Sequence, residues 1–422
     1  MVISTFMLNK SGRDAANIVL QGCAVGYTGL VSLGITFFLA RGFGPEKFGG
    51  YSYALTWASL IFILQDGGLG TLIFREKTLP SPALAVFKGD LSSLSRGHAL
   101  LVTGAGVLLG LAVPSPYRVE VSFAVVCFGF QAVTQFISSE MRADGRFSRD
   151  AFWQIQGRTL SAAGIVIGVM LLPEPWVVMA GWGFGLFISL FFSPVSHPLP
   201  RFGALCHREI RRATFSLMAI NIATALYNRC DILLLEHLTG DAAQVGVYAA
   251  VYRVLDGIIL LASPFSWIWF RKLRMASETK EHFVSLLFWM CLTLAGVAVL
   301  ILGCGVLYGK ALVVWIFGEG YLESVQILPW LLGALIFALP NGILTMGAIA
   351  QNRERGYAMA AGLGALVNIG LNIAWIPEFG ARGAAWATVA TEAFLMLGLM
   401  ICLHNALRRK ETTIQDDPLL LS

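Results

Sequence analysis

Charge is scarce in this chain. Only 13% of its 422 residues are Asp, Glu, Lys or Arg, while 56% are hydrophobic and the mean hydropathy is +0.71. A water-soluble domain of this length has no core large enough to hide so much apolar surface, so its solvent is lipid. CxxC spacing is missing as well. The seven cysteines (Cys23, Cys127, Cys206, Cys230, Cys291, Cys304 and Cys402) mostly fall inside apolar stretches, which supports neither a disulfide framework nor a zinc site. No basic patch is interleaved with aromatics, so the net charge of +5 does not point to nucleic acid. Its carriers flank apolar segments, where anionic lipid headgroups attract them, and membrane lipids are the expected partners. The apolar run 15–40 is too long for a signal-peptide core and lacks a convincing cleavage site, so it is retained as a span. The histidines are scattered, and neither a metal nor a cofactor is expected.

What is abundant is long apolar sequence. Windows near 15–40, 51–74, 97–113, 119–139, 154–172, 176–194, 215–237, 246–271, 283–307, 326–349, 357–376 and 383–404 have about the length needed to cross a hydrocarbon core. They predict an all-α polytopic membrane protein with twelve transmembrane helices. Lys and Arg alternate strongly between the connections. The even ones hold Arg75, Lys77, Lys88 and Arg96, then Arg142, Arg146 and Arg149, then Arg201, Arg208, Arg211 and Arg212. Later even connections hold Arg271, Lys272, Arg274 and Lys280, then Arg353 and Arg355, and the ends hold Lys10, Arg13, Arg408, Arg409 and Lys410. The odd connections carry only Arg41, Lys47, Arg118, Lys310 and Arg382. The positive-inside bias therefore puts the even loops and both termini in the cytoplasm.

A weak internal repeat divides the chain. Phe48-Gly49-Gly50-Tyr51 opens the second span and Val245-Gly246-Val247-Tyr248 the eighth, while Leu171-Leu172-Pro173-Glu174 ends the fifth and Trp375-Ile376-Pro377-Glu378 the eleventh. The expected organisation is a six-helix bundle over 1–195, a basic cytoplasmic linker over 196–214, a second six-helix bundle over 215–407 and a cytoplasmic tail over 408–422. Six is even, so the repeat is parallel, which places a substrate path between two bundles that rock against each other. Pro264 and Pro340 inside spans are consistent with bent helices but are ordinary in membrane helices. Gly164 with Gly168, and Gly181 with Gly185, make small-xxx-small pairs suited to tight helix packing.

Four segments carry a resemblance. They are Leu39-Ala40-Arg41-Gly42-Phe43-Gly44-Pro45-Glu46-Lys47-Phe48-Gly49, then Asp66-Gly67-Gly68-Leu69-Gly70-Thr71 with Arg75. The third is Asp231-Ile232-Leu233-Leu234-Leu235 with Gly246-Val247-Tyr248-Ala249-Ala250-Val251-Tyr252-Arg253. The last is Asn368-Ile369-Gly370-Leu371-Asn372 followed by Ile376-Pro377-Glu378-Phe379-Gly380-Ala381-Arg382-Gly383-Ala384-Ala385. In this order they resemble the polysaccharide exporters of the O-antigen flippase type, within the multidrug/oligosaccharidyl-lipid/polysaccharide (MOP) superfamily. The resemblance implies two six-helix bundles around a central cavity that opens alternately to either side. It also implies movement of undecaprenyl-pyrophosphate-linked oligosaccharide, an O-antigen or exopolysaccharide repeat unit, across the cell inner membrane. The partners it implies are that lipid-linked oligosaccharide, a polysaccharide polymerase and chain-length proteins.

An ionisable side chain at mid-bilayer costs roughly 2.5–3.5 kcal/mol on insertion scales, so each one needs a reason. The intramembrane set is Asp66 in the second span, Arg158 at the start of the fifth, Arg229 and Asp231 in the seventh, Arg253 and Asp256 in the eighth, and Glu392 in the twelfth. At about 100° per residue, Asn221, Thr224, Asn228 and Asp231 share one face of the seventh helix, and Arg229 points away from Asp231. Counting from the loop 238–245 puts Asp231 level with Arg253 and Asn228 level with Asp256. Two readings of Arg253 stay open: a cross-helix ion pair with Asp231, or a cation gripping pyrophosphate or an acidic sugar. In the first span Asn17, Gln21, Thr28 and Ser32 share a face, for substrate or for interhelical bonding. The substrate-binding candidates are thus Arg253, Arg229, Asn17, Gln21, Asn221 and Asn228, and the ion-coupling candidates are Asp231, Asp256, Glu392 and Asp66.

Short outer connections, such as 173–175, leave no room for the catalytic loops of a membrane polymerase or ligase, so no enzyme is expected. The alternative to a flippase is a multidrug-type small-molecule or cation antiporter of the same superfamily. Such a protein wants a more apolar, acidic pocket, and the intramembrane arginines favour the flippase.

Overall fold

The computed structural model describes residues 2–78, 90–112, 116–195, 199–204, 207–262, 266–277 and 279–415. Nearly all of them are helical, and no strand occurs among them. The helices are α1 (Val2–Asp66), α2 (Leu69–Thr78), α3 (Leu91–Ala112), α4 (Arg118–Ala143), α5 (Phe147–Leu171), α6 (Pro175–Phe191) and α7 (Arg208–Thr239). They continue as α8 (Ala242–Ala262), α9 (Ser266–Ala276), α10 (Lys280–Phe317), α11 (Ser324–Ala350), α12 (Glu354–Phe379) and α13 (Ala381–Gln415). Among the described residues, eight helical segments are long and apolar enough to cross a membrane by length and composition. At their described residues the twelve windows expected from sequence lie mainly on helices, the first on α1, the second on α1 and α2 and the eighth on α8 and α9, which is consistent with twelve spans.

The break inside α1 is at Gly44, where φ is +73° and ψ 174°. Only glycine takes that conformation without strain, and Pro45 then starts the next helical stretch with its fixed φ and no N–H to satisfy. Pro264 and Lys88 lie outside the described residues, whereas Pro340 sits inside α11 together with Pro329.

Contacts divide the chain into two compact units, one of Met1–Phe43 with Gly50–Ile222, the other of Gly44–Gly49 with Ala223–Ser422. In the first unit, small residues set the packing of α5 on α6. A Cβ at Gly164 would collide with the carbonyl oxygen of Gly181, one at Gly181 with that of Gly164, and one at Gly185 with that of Leu160. Lipid offers no hydrophobic drive between helices, so such close backbone approach is how they gain dispersion contact. Toward one end of this unit, Leu69, Leu72, Ile73, Leu91, Leu94 and Phe136 form an apolar core.

The second unit shows how a helix is divided between protein and lipid. On α10, Ala298, Gly305, Gly309, Val313 and Phe317 are buried along one stripe, while Leu300, Leu307 and Trp315 are exposed. A second core is built from Phe283, Ile343, Leu344, Leu395, Leu399 and Leu403, contributed by α10, α11 and α13. The short segment Gly44–Gly49 belongs to this unit through backbone contact. A Cβ at Gly49 would strike the carbonyl oxygen of Ala242, and one at Gly246 that of Pro45. Gly49 and Gly246 also stand at matched positions of the weak sequence repeat.

Candidate functional site

The hairpin of α7 and α8 turns at Gly240, where φ is +63°. Asp241 then caps α8, its Oδ1 accepting from the backbone N–H of Ala243 at 2.9 Å and of Gln244 at 3.3 Å. Below this turn, Arg253 Nη1 donates to Asp256 Oδ2 at 2.9 Å, and Arg229 Nη1 approaches the same oxygen at 3.7 Å. Two guanidinium groups converge on one carboxylate, for a formal charge of +1. Their side chains are partly exposed, 14% for Arg253, 28% for Arg229 and 32% for Asp256.

The pairing of Arg253 with Asp231 expected from depth is not formed. Counting from the turn fixes how deep a residue lies but not which way it points. A spacing of i,i+3 on one helix sets Arg253 beside Asp256, and Asp231 faces elsewhere. The side chain of Asn228 lies outside those described, and Asn221 is exposed.

Asp231 is 3% exposed and lies among α8, α12 and α13. Tyr248 donates its hydroxyl to Oδ2 at 2.8 Å, Thr388 donates to the same oxygen at 3.2 Å, and Asn372 Nδ2 donates to Oδ1 at 2.8 Å. Three donors compensate the charge that burial would otherwise penalise. Asn368 Oδ1 accepts from Asn372 Nδ2 at 3.0 Å, and the buried Asn372 Oδ1 has no hydrogen-bond partner. Asn368 Oδ1 also accepts from Cys230 Sγ at 2.8 Å, so the carboxylate is held inside a hydrogen-bonded network.

The remaining candidates are tied into the scaffold. Asp66 Oδ2 accepts from the backbone N–H of Gly68 at 3.0 Å, at the turn that enters α2. Glu392 Oε2 accepts from Asn341 Nδ2 at 2.8 Å. Asn17 Oδ1 accepts from Ser148 Oγ at 2.8 Å, and Gln21 Nε2 donates to Phe147 O at 2.7 Å and to Asp150 Oδ2 at 2.9 Å. Asp150 also pairs with Arg142 at 3.3 Å. In this structure Asn17 and Gln21 thus bond between helices. Sequence reasoning missed Asp150, Tyr248, Asn341 and Thr388 as partners. Asn368 and Asn372 were visible in a quoted segment, but nothing local tied them to Asp231.

Residues 15–270, more than half of the chain, match the family described as polysaccharide biosynthesis protein. The chain belongs to this family. No curated protein matches this family member in sequence. Its fold is similar to that of a solved structure titled lipid II flippase MurJ in an inward closed conformation, with 14% identity, TM-score 0.71, and coverage of 94% of this chain and 93% of that one. An inward-facing multidrug resistance MATE family transporter of the MOP superfamily has TM-score 0.65 and 10% identity over 95% of this chain and 99% of the other. A MOP superfamily transporter from Pyrococcus furiosus, whose title reports a binding pocket of reverse polarity, has TM-score 0.59 and 11% identity, covering 95% of this chain and 96% of its own. At these identities the likeness shows the fold, that of MOP superfamily transporters.

Proposed function

We propose that this protein is a flippase that moves undecaprenyl-pyrophosphate-linked oligosaccharide, an O-antigen or exopolysaccharide repeat unit, across the cell inner membrane by alternating access. A sugar headgroup bearing pyrophosphate cannot cross hydrocarbon unaided, and its carrier must offer cationic, hydrogen-bonding surface at membrane depth. The observation that carries the reading is the convergence of Arg253 and Arg229 on Asp256. Guanidinium groups grip phosphate oxygens in pairs and stay charged when poorly hydrated. Asp256 holds both arginines in place when no substrate is present, and a pyrophosphate competes with it for them.

Asp231 is the ion-coupling carboxylate of this reading, since it is buried and surrounded by neutral oxygens and donors. The termini are cytoplasmic, and a polymerase with its chain-length protein takes the product on the far side. The deciding experiment deletes the chromosomal copy and follows the lipid-linked glycan. Accumulation of the intermediate in the cytoplasmic leaflet, reversed by the wild-type chain and not by Arg253→Ala, supports the flippase. Normal glycan export together with sensitivity to cationic drugs would support a multidrug-type antiporter instead.

A further inference from the structure

The fifth helix holds a guanidinium with no carboxylate at ion-pair distance among the described residues. Because α5 begins at Phe147, Arg158 lies eleven residues inside it, roughly 16 Å along the axis and near its middle, not at its start as the apolar window suggested. The other interior arginines of this unit have carboxylates: Arg142 lies 3.3 Å from Asp150, and Arg96 3.9 Å from Glu140. Arg158 has no carboxylate at ion-pair distance among the described residues, and its buried Nε has no hydrogen-bond partner. Its neighbour is the Trp182 ring, 5.3 Å from the guanidinium carbon to the ring centroid.

Arg158 borders a cavity of about 510 Å³ inside the first unit, a size that ordinary small-molecule sites have. Gln131 and Gln135, one turn apart on α4, line it with side-chain amides that bond to no other described residue. Ser161 and Ser189 lie behind this lining, fully buried, with their hydroxyls donating to the helix carbonyls of Gly157 and Leu186. Amides that both donate and accept and an indole face suit the hydroxyls and C–H face of a pyranose.

We propose that this cavity is a sugar subsite, distinct from the Arg229, Arg253 and Asp256 cluster, which selects a monosaccharide bearing a carboxylate. The inference rests on the flippase reading for its glycan ligand. A single unpaired cation matches the single negative charge of a uronic acid, which its planar fork grips in a bidentate manner. Pyrophosphate, with more charge, fits the two arginines of the second unit better.

The test measures binding to the purified full-length protein by isothermal titration with three probes: a glucuronic-acid-containing disaccharide, its neutral glucose counterpart, and inorganic pyrophosphate. Wild type should bind the acidic disaccharide at least tenfold more tightly than the neutral one. Arg158→Gln should weaken the acidic ligand by about ten- to hundredfold and leave the neutral one unchanged. Arg158→Lys should retain part of the preference. Gln135→Ala, which keeps all charges, should weaken both sugars and provides the readout if Arg158→Gln does not fold. Equal binding of the two sugars by wild type, an unchanged preference in Arg158→Gln, or loss of pyrophosphate binding in its place would overturn the subsite. Failure of the flippase reading appears separately, as pyrophosphate binding that Arg253→Ala does not alter.

Discussion

Arg253 Nη1 lies 2.9 Å from Asp256 Oδ2, one turn along the same helix, while Arg229 reaches that oxygen from the neighbouring helix. Asp256 thus divides one negative charge between two cations, and the cluster keeps an excess positive charge. Arg253→Ala is expected to reduce glycan export at least tenfold at unchanged protein level, and Arg253→Lys to retain part of it. Asp256→Ala should cost about 1 kcal/mol of stability or less, because the pairs are partly exposed. Export assays on membranes with matched protein content, together with melting in detergent, check both.

The Asp231 cluster separates stability from coupling. Asp231→Ala removes an acceptor shared by three donors; Thr388 keeps Ala384 O and Asn372 keeps Asn368, so the loss falls on Tyr248, at about 1–3 kcal/mol. Asp231→Asn keeps an acceptor oxygen and the side-chain volume, so the protein should melt within a few degrees of wild type. Transport by that variant in proteoliposomes should no longer respond to an imposed proton or sodium gradient. A response of wild-type size in Asp231→Asn would remove Asp231 from ion coupling.

Glycine at the repeat crossing is required for steric reasons. Gly49→Ala and Gly246→Ala each place a methyl group against a backbone carbonyl and should destabilise the protein by about 1–3 kcal/mol. Gly42→Ala meets no atom within 4 Å and should be neutral in the same thermal unfolding series. Equal melting of all three variants would contradict the crossing.

Topology is accessible by labelling. In a background lacking the seven native cysteines, a cysteine replacing the exposed Glu323 should react with an impermeant maleimide from outside spheroplasts. One replacing Glu281, at the basic end of α10, should react only after lysis. The reverse pattern would invert the chain.

Spans and their basic borders were legible because lipid imposes length and composition locally, residue by residue. The depth of Arg158 was not, because the first two turns of α5 carry Ser148, Arg149, Asp150 and Gln154, which lower hydropathy without ending the helix. Azimuth was harder still. Asp231 finds Asn372 and Thr388 more than 140 positions away, and only the packing of α7 against α12 and α13 selects that face over the one toward Arg253. Gly49 and Gly246 appeared in the sequence as a weak repeat, while their collision-limited crossing is a property of the folded second unit.

The assignment of Gly44–Gly49 to the second unit has a consequence for dissecting the protein. A cut in the basic connection near residue 200 gives fragments that do not correspond to the units, since the C-terminal piece lacks six of its own residues. Expressed alone, that piece would present the backbone of Ala242 and Gly246 with no chain against it, a vacancy shaped for one short peptide. Supplying the N-terminal piece in trans fills it, so split halves of this protein should assemble by complementation through this segment, and a free peptide spanning residues 44–49 should compete with it.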